Sequence, residues 1–141
     1  MSKVIREVAE KEIEKWLDVK RIAPSKRESY ATYTDTLINA VMDGDLVLNT
    51  DNTFTYKLKF ASGEGAAISA LKIKPRMSVY ERSKATQGIK ADDGEARLLA
   101  LIAGITDQPR NIIAALDTED ASVLQAIAVF LHRRKQPAKC N

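Results

Sequence analysis

Between Thr53 and Phe60 the chain alternates without a break, Thr-Phe-Thr-Tyr-Lys-Leu-Lys-Phe, and this period of two is set between longer stretches whose apolar residues recur every three or four. On a strand, such alternation puts Phe54, Tyr56, Leu58 and Phe60 on one face and Thr53, Thr55, Lys57 and Lys59 on the other, so one face is expected in a core and the other in water. A half-buried strand needs neighbours. Leu46-Val47-Leu48 supplies a short one, across turn chemistry at Asn49 to Asn52, and Ala67 to Ile73 supplies another after the turn Ser62-Gly63-Glu64-Gly65. Pro75 marks the end of that third strand, because it has no N–H for a further ladder bond. Three strands are stable only when their apolar face is covered. The expected fold is therefore α+β, a small three-stranded antiparallel meander covered by helices, with two helices before the strands and about four after them.

The helical stretches can be bounded by their caps. Lys3 to Val19 carries Ile5, Ala9, Ile13, Trp16 and Leu17 on one stripe, and Pro24 is expected to end that element. Ser25 with Glu28 has the form of a capping box opening a second helix, on which Tyr30, Tyr33, Leu37, Ile38 and Val41 share a face up to Gly44. After the strands, Ser78 with Glu81 opens a helix closed by Gly88, and Asp92 with Glu95 opens the next, closed by Gly104 after Leu98, Leu99, Leu101 and Ile102. Asp107 and Pro109 begin a short helix carrying Ile112, Ile113 and Leu116. Asp117-Thr118 begins the last, with Leu124, Ile127, Ala128 and Leu131 at helical spacing. The expected core is Trp16, Leu37, Phe54, Tyr56, Leu58, Leu71, Ile73, Leu98, Leu101, Ile102, Leu116, Leu124, Ile127 and Leu131. The chain divides into a helical N-terminal extension over 1–45, an α+β domain over 46–135 and a flexible tail over 136–141.

No segment carries the signature of a catalytic or cofactor site. The glycines of Ser62-Gly63-Glu64-Gly65 lack the following Gly-Lys-Ser/Thr of a phosphate loop and lead into a strand instead of a helix. The single histidine, His132, stands beside Arg133 and Arg134 at the end of the last helix, with no Cys or second His to complete a tetrahedral metal site and no Gly-x-Ser-x-Gly elbow to serve as base. Asp92-Asp93 and Asp117 to Asp120 immediately precede helices, and capping explains them with fewer assumptions than cation binding. The expectation is no enzyme, no cofactor and no metal. The lone Cys140 forms no intrachain disulfide, no apolar run approaches the roughly 18 residues that span a bilayer, and the N-terminus leads into a charged amphipathic helix; together these point to the cytoplasm.

A resemblance supplies a class. A strand ending in Lys74-Pro75 is followed by a polar linker with an acidic pair, then by a helix ending in the Leu-rich run Leu98 to Gly104. The step Leu116-Asp117, with Asp120 just after it, then leads into a helix finishing in Phe130-Leu131. This order resembles the small tail assembly chaperones of long-tailed phages, especially those of Mu-like contractile-tailed phages and prophages. It covers roughly residues 68–131, and the portion through about Val47 is longer and more helical than the lead of those proteins. The resemblance implies a non-catalytic protein of the bacterial host cytoplasm that binds the tape measure protein and helps recruit tail tube subunits. It also implies a longer frameshifted product that would grow from the short tail. The residues placed at the partner interface on this reading are Ile112, Ile113, Phe130, Arg133, Arg134 and Lys135. A nucleic-acid-binding protein is the alternative, because two helices followed by a hairpin, with Arg21, Lys26, Arg27, Lys57 and Lys59 near the junction, loosely follow the order of a winged helix. Against it stand a net charge of only +3, basic residues interleaved with acids, and the missing third helix before the wing.

Overall fold

The alternating segment forms the middle strand of a three-stranded antiparallel sheet in a computed structural model, which describes residues 5–62, 68–74, 77–90 and 92–131. The strands are β1 (Leu46–Leu48), β2 (Phe54–Ser62) and β3 (Ile68–Ile73), in the spatial order β1-β2-β3. Leu46, Val47 and Leu48 face Tyr56, Thr55 and Phe54, and Phe54, Tyr56 and Lys57 face Ile73, Leu71 and Ala70. The β1–β2 turn is closed by its own polar residues. Asn49 donates its N–H to the Thr53 carbonyl at 2.8 Å, Asn52 adopts φ +70°, and Asp51 accepts from both the N–H and the hydroxyl of Thr53. Those two bonds hold the Asp51 carboxyl below its ordinary range, the hydroxyl bond being the larger cause.

Two helical segments precede the strands, as the sequence predicts. The first is α1 (Arg6–Val19); the second is broken at Tyr30, with φ −107° and ψ 29°, into α2 (Pro24–Ser29) and α3 (Ala31–Met42). Pro24 begins α2 instead of ending α1, because its missing N–H falls where a first-turn residue has no partner to lose. Ser25 is consequently inside the helix, and the expected capping box with Glu28 does not form; Ala23 precedes α2 without a side-chain cap. The expected start at Lys3 lies outside the described residues, and Ile5 stands ahead of α1 with 65% of its surface exposed, off the buried stripe.

Four helices follow the strands: α4 (Val79–Ala85), α5 (Gly94–Thr106), α6 (Arg110–Ala114) and α7 (Thr118–Leu131). The Ser78–Glu81 capping box forms with both of its hydrogen bonds. The next cap is displaced by one residue, since it is Asp93 whose carboxylate accepts the N–H of Ala96, at 3.2 Å. Gly104 does not close α5, which runs on to Thr106 and ends at Asp107 with φ +58°. Its lack of a side chain serves packing: a Cβ there would stand 2.5 Å from the Met77 terminal methyl and 3.1 Å from the Ala85 Cβ. Met77 can swing aside, but Ala85 cannot without moving α4. Asp107 therefore belongs to the end of α5, and Pro109 alone precedes α6.

One contiguous core runs from Ala9 to Phe130, between the sheet and α1, α3, α5 and α7. The Trp16 ring packs 4.9 Å from Phe54 and 5.9 Å from Phe130, and Tyr30 meets Phe130 edge-on at 5.5 Å. Each such side chain taken out of water contributes on the order of 1.5–3 kcal/mol, so this layer fixes α1 and α7 on the sheet more firmly than their own propensity does. Leu58 and Leu98 are only partly buried, and the Leu131 side chain lies outside those described. Phe60, expected in the core, is 54% exposed, because a register shift between Lys57 and Ser62 interrupts the alternation of β2.

Candidate interaction surface

That irregularity has a partner across the molecule. Asp117 acts as a helix-start acceptor, taking the N–H of Glu119 at 3.0 Å, but Asp120 turns inward and has no exposed surface. Its Oδ1 accepts from the Tyr56 hydroxyl at 2.7 Å and from the Lys59 N–H at 2.9 Å, and its Oδ2 from the Phe60 N–H at 3.1 Å. The reason lies in the length of β1. It is only three residues long, so the N–H groups of β2 beyond Lys57 run out of chain to bond to on that side, and the bulge turns two consecutive ones, of Lys59 and Phe60, toward the carboxylate. Burial, and then donation to Asp120, push the Tyr56 hydroxyl far above its ordinary pKa, so it remains a donor throughout the working pH range. Every oxygen of Asp120 is thus engaged with the fold, which makes this carboxylate a strut between α7 and the sheet.

The face of the sheet turned away from the helices is polar. Asp45 accepts the Lys57 N–H on its carbonyl at 2.7 Å, and its carboxylate lies 2.8 Å from Lys59 Nζ, with Asp43 at 3.6 Å. The bond to Asp45 raises the Lys59 pKa. Arg27 is likewise bound, to Asp18 at 2.8 Å and to the Ile22 carbonyl at 2.9 Å, and Lys26 lies over the Tyr30 ring at 5.6 Å. Of the cations near the junction of helices and hairpin, three are therefore occupied within the fold, which leaves fewer to meet a phosphate backbone. Lys57 and Lys72 are exposed and make no close ion pair among the described residues, although the Lys72 charge does act on the nearby Asp51 carboxylate.

The two most exposed large apolar side chains stand together on α4. Val79 is 73% and Tyr80 72% exposed, and no residue of this helix is buried. Polar contacts at its two ends, together with Ala85 packed close to Gly104, hold it. Ser78 donates its N–H to Glu81 Oε1 at 2.9 Å, Glu81 donates its own to Ser78 Oγ at 3.1 Å, and Lys74 reaches Glu81 Oε2 at 3.2 Å. At the far end the Arg110 guanidinium donates to the carbonyls of Ala85 and Gln87, the latter at 3.0 Å.

The residues assigned to a partner interface from sequence are not brought together on one surface. Ile113 and Phe130 are buried, the latter against Trp16 and Tyr30, and Ile112 is half-buried. Core packing occupies their side chains. Arg133, Arg134 and Lys135 lie outside the described residues, as do His132 and Cys140. Sequence reasoning passed over Val79 and Tyr80, although a clue existed: they follow a cap in a helix of seven residues, too short to bury both its faces. Among the described residues no three His, Cys, Asp or Glu side chains are grouped so as to hold a metal, and no helix is long and apolar enough to cross a membrane. Comparison with protein-family models, curated proteins and solved structures gives no match.

Proposed function

We propose that the protein is a non-catalytic assembly factor, a phage or prophage tail assembly chaperone that binds the tape measure protein in the host cytoplasm and helps recruit tail tube subunits. The class rests on the resemblance over residues 68–131. The observation that carries a binding role is the pair Val79 and Tyr80, adjacent, apolar and left in water on a helix with no fully buried residue. A tyrosine beside an aliphatic side chain is the kind of group on which binding energy concentrates, and covering each would contribute on the order of 1.5–3 kcal/mol. A client with an amphipathic helix, presenting apolar residues three and four apart, suits such a ridge.

Coexpression with the tape measure protein tests this reading. The wild-type protein is expected to keep the client soluble and to copurify with it, and the double variant Val79→Ser, Tyr80→Ser to lose the client while retaining its own melting temperature. A wild-type protein that leaves the client insoluble overturns the chaperone reading. A variant that still holds the client removes α4 from the interface.

A further inference from the structure

The edge of the sheet offers a second surface, whose geometry follows from the hydrogen bonds on its opposite side. Lys57 donates its N–H to Asp45, and Thr53 accepts from Asn49, so the odd-numbered residues of this part of β2 turn their backbone polar groups toward β1. Along an extended strand these groups alternate, so Phe54 and Tyr56 face β3 and exchange hydrogen bonds with Ile73 and Leu71, their partners in register. The N–H and C=O groups of Ala70 and Lys72 must then point away from the sheet. Lys74, next in that series, bears out the direction by donating its N–H to the Ile105 carbonyl at 2.9 Å. Ala70 and Lys72 are both exposed, and nothing among the described residues bonds to their outward groups. Two donors and two acceptors at strand spacing are therefore left without a partner among the described residues.

The side chains beside this edge restrict what can fill it. Lys72 is the only charged residue of β3, and Lys57 stands opposite Ala70; by register both occupy the face away from the buried Tyr56 and Leu71. We infer that the β3 edge receives an extended, acidic segment of another protein by strand addition, with one carboxylate beside Lys72, another within reach of the long Lys57 side chain across the small Ala70, and an apolar residue beside Leu71. A second copy of the chain is a poorer fit. Pairing two β3 edges about Leu71 would gather both copies of Lys57 and Lys72 on one face. This strand addition requires no particular assembly, so it stands or falls separately from the tail-assembly reading.

Amide exchange followed by NMR on the full chain tests it, with a short peptide of alternating glutamate and valine as the probe. In the free protein the Ala70 and Lys72 amides should exchange fast and those of Leu71 and Ile73 slowly; the peptide should slow the first pair. Lys72→Glu should weaken this peptide by about two- to fivefold or more and strengthen a lysine–valine peptide in its place. Ala70→Pro removes one outward donor while leaving the ladder to β2 intact, and should abolish the protection of Lys72 with Leu71 and Ile73 still slow. Three results would overturn the inference: amides of Ala70 and Lys72 that stay fast with the peptide present, equal protection by the glutamate and lysine peptides, or protection that grows with protein concentration alone, which would assign the edge to a second copy.

Discussion

Helices α7 and α4 are held in opposite ways. In α7, Val123, Leu124, Ala126, Ile127, Ala128 and Phe130 are all buried, and Asp120 at its start is bonded to β2. In α4 no residue is fully buried; Ala85 packs close to Gly104 of α5, and the helix is otherwise tied by a capping box, the Lys74–Glu81 pair and the Arg110 guanidinium. Tertiary burial is cooperative with the whole domain, whereas end contacts in water are each worth little, so α4 belongs to the low-stability end of the molecule and α7 to the high end. The region freest to meet a partner is the one whose own contacts are weakest.

Four measurements sharpen or break that contrast. The largest effect is expected in α7: Leu124→Ala should cost about 2–5 kcal/mol in urea unfolding, because the side chain is wholly enclosed. A change below about 1 kcal/mol would mean that α7 is not the central helix. Asp120→Ala comes next, at about 2–3 kcal/mol, since it strands the Tyr56 hydroxyl and two N–H groups of the bulge. Combining it with Tyr56→Phe should cost less than the sum of the two single changes, and strict additivity would break the strut.

A smaller, pH-dependent effect is confined to α4. Glu81 is held below its ordinary value of 4.5, first by the Ser78 N–H and then by Lys74. A carboxyl whose folded pKa is depressed contributes stability above its unfolded value and loses it as pH falls through the folded one. Protection factors of α4 amides should therefore drop as pH falls below the ordinary glutamate range, with those of α7 changing less, and Glu81→Gln should remove the difference. If the two helices loosened in parallel, α4 would not be an independent unit. The smallest effect is expected for Val79→Ser with Tyr80→Ser, within about 0.5 kcal/mol of wild type in the same urea experiment. A larger loss would mean that these side chains support the fold.

Much of the fold is legible in the chain, and the places where the reading fails share one cause. The period of two in Phe54 to Leu58, the Ser78–Glu81 box and the turn at Asn49 to Asn52 depend on residues a few positions apart, and the structure contains all three. The sequence gives Pro24, Gly104 and Asp107 each a boundary role that the structure moves, because adjacent start and stop signals compete and packing selects among them: Gly104 is small for Ala85 of α4, not for a cap. Of the expected interface, Ile113 and Phe130 are core residues, since apolar periodicity marks burial and docking alike until the neighbouring helices are in place.

The sequence by itself determines the kinds of element and their order, because hydrophobic period and capping act over one or two turns of chain. Only the tertiary structure decides that Asp120 meets Tyr56, 64 residues away, and that Phe60 leaves the core at a bulge. It also decides that Ala70 and Lys72 stand at the edge of the sheet, because which strand is outermost depends on how the three strands assemble. An unpaired carboxylate or N–H can be recognised along the chain, but what satisfies it is settled when β1 proves too short to continue the ladder and α7 packs where β1 ends.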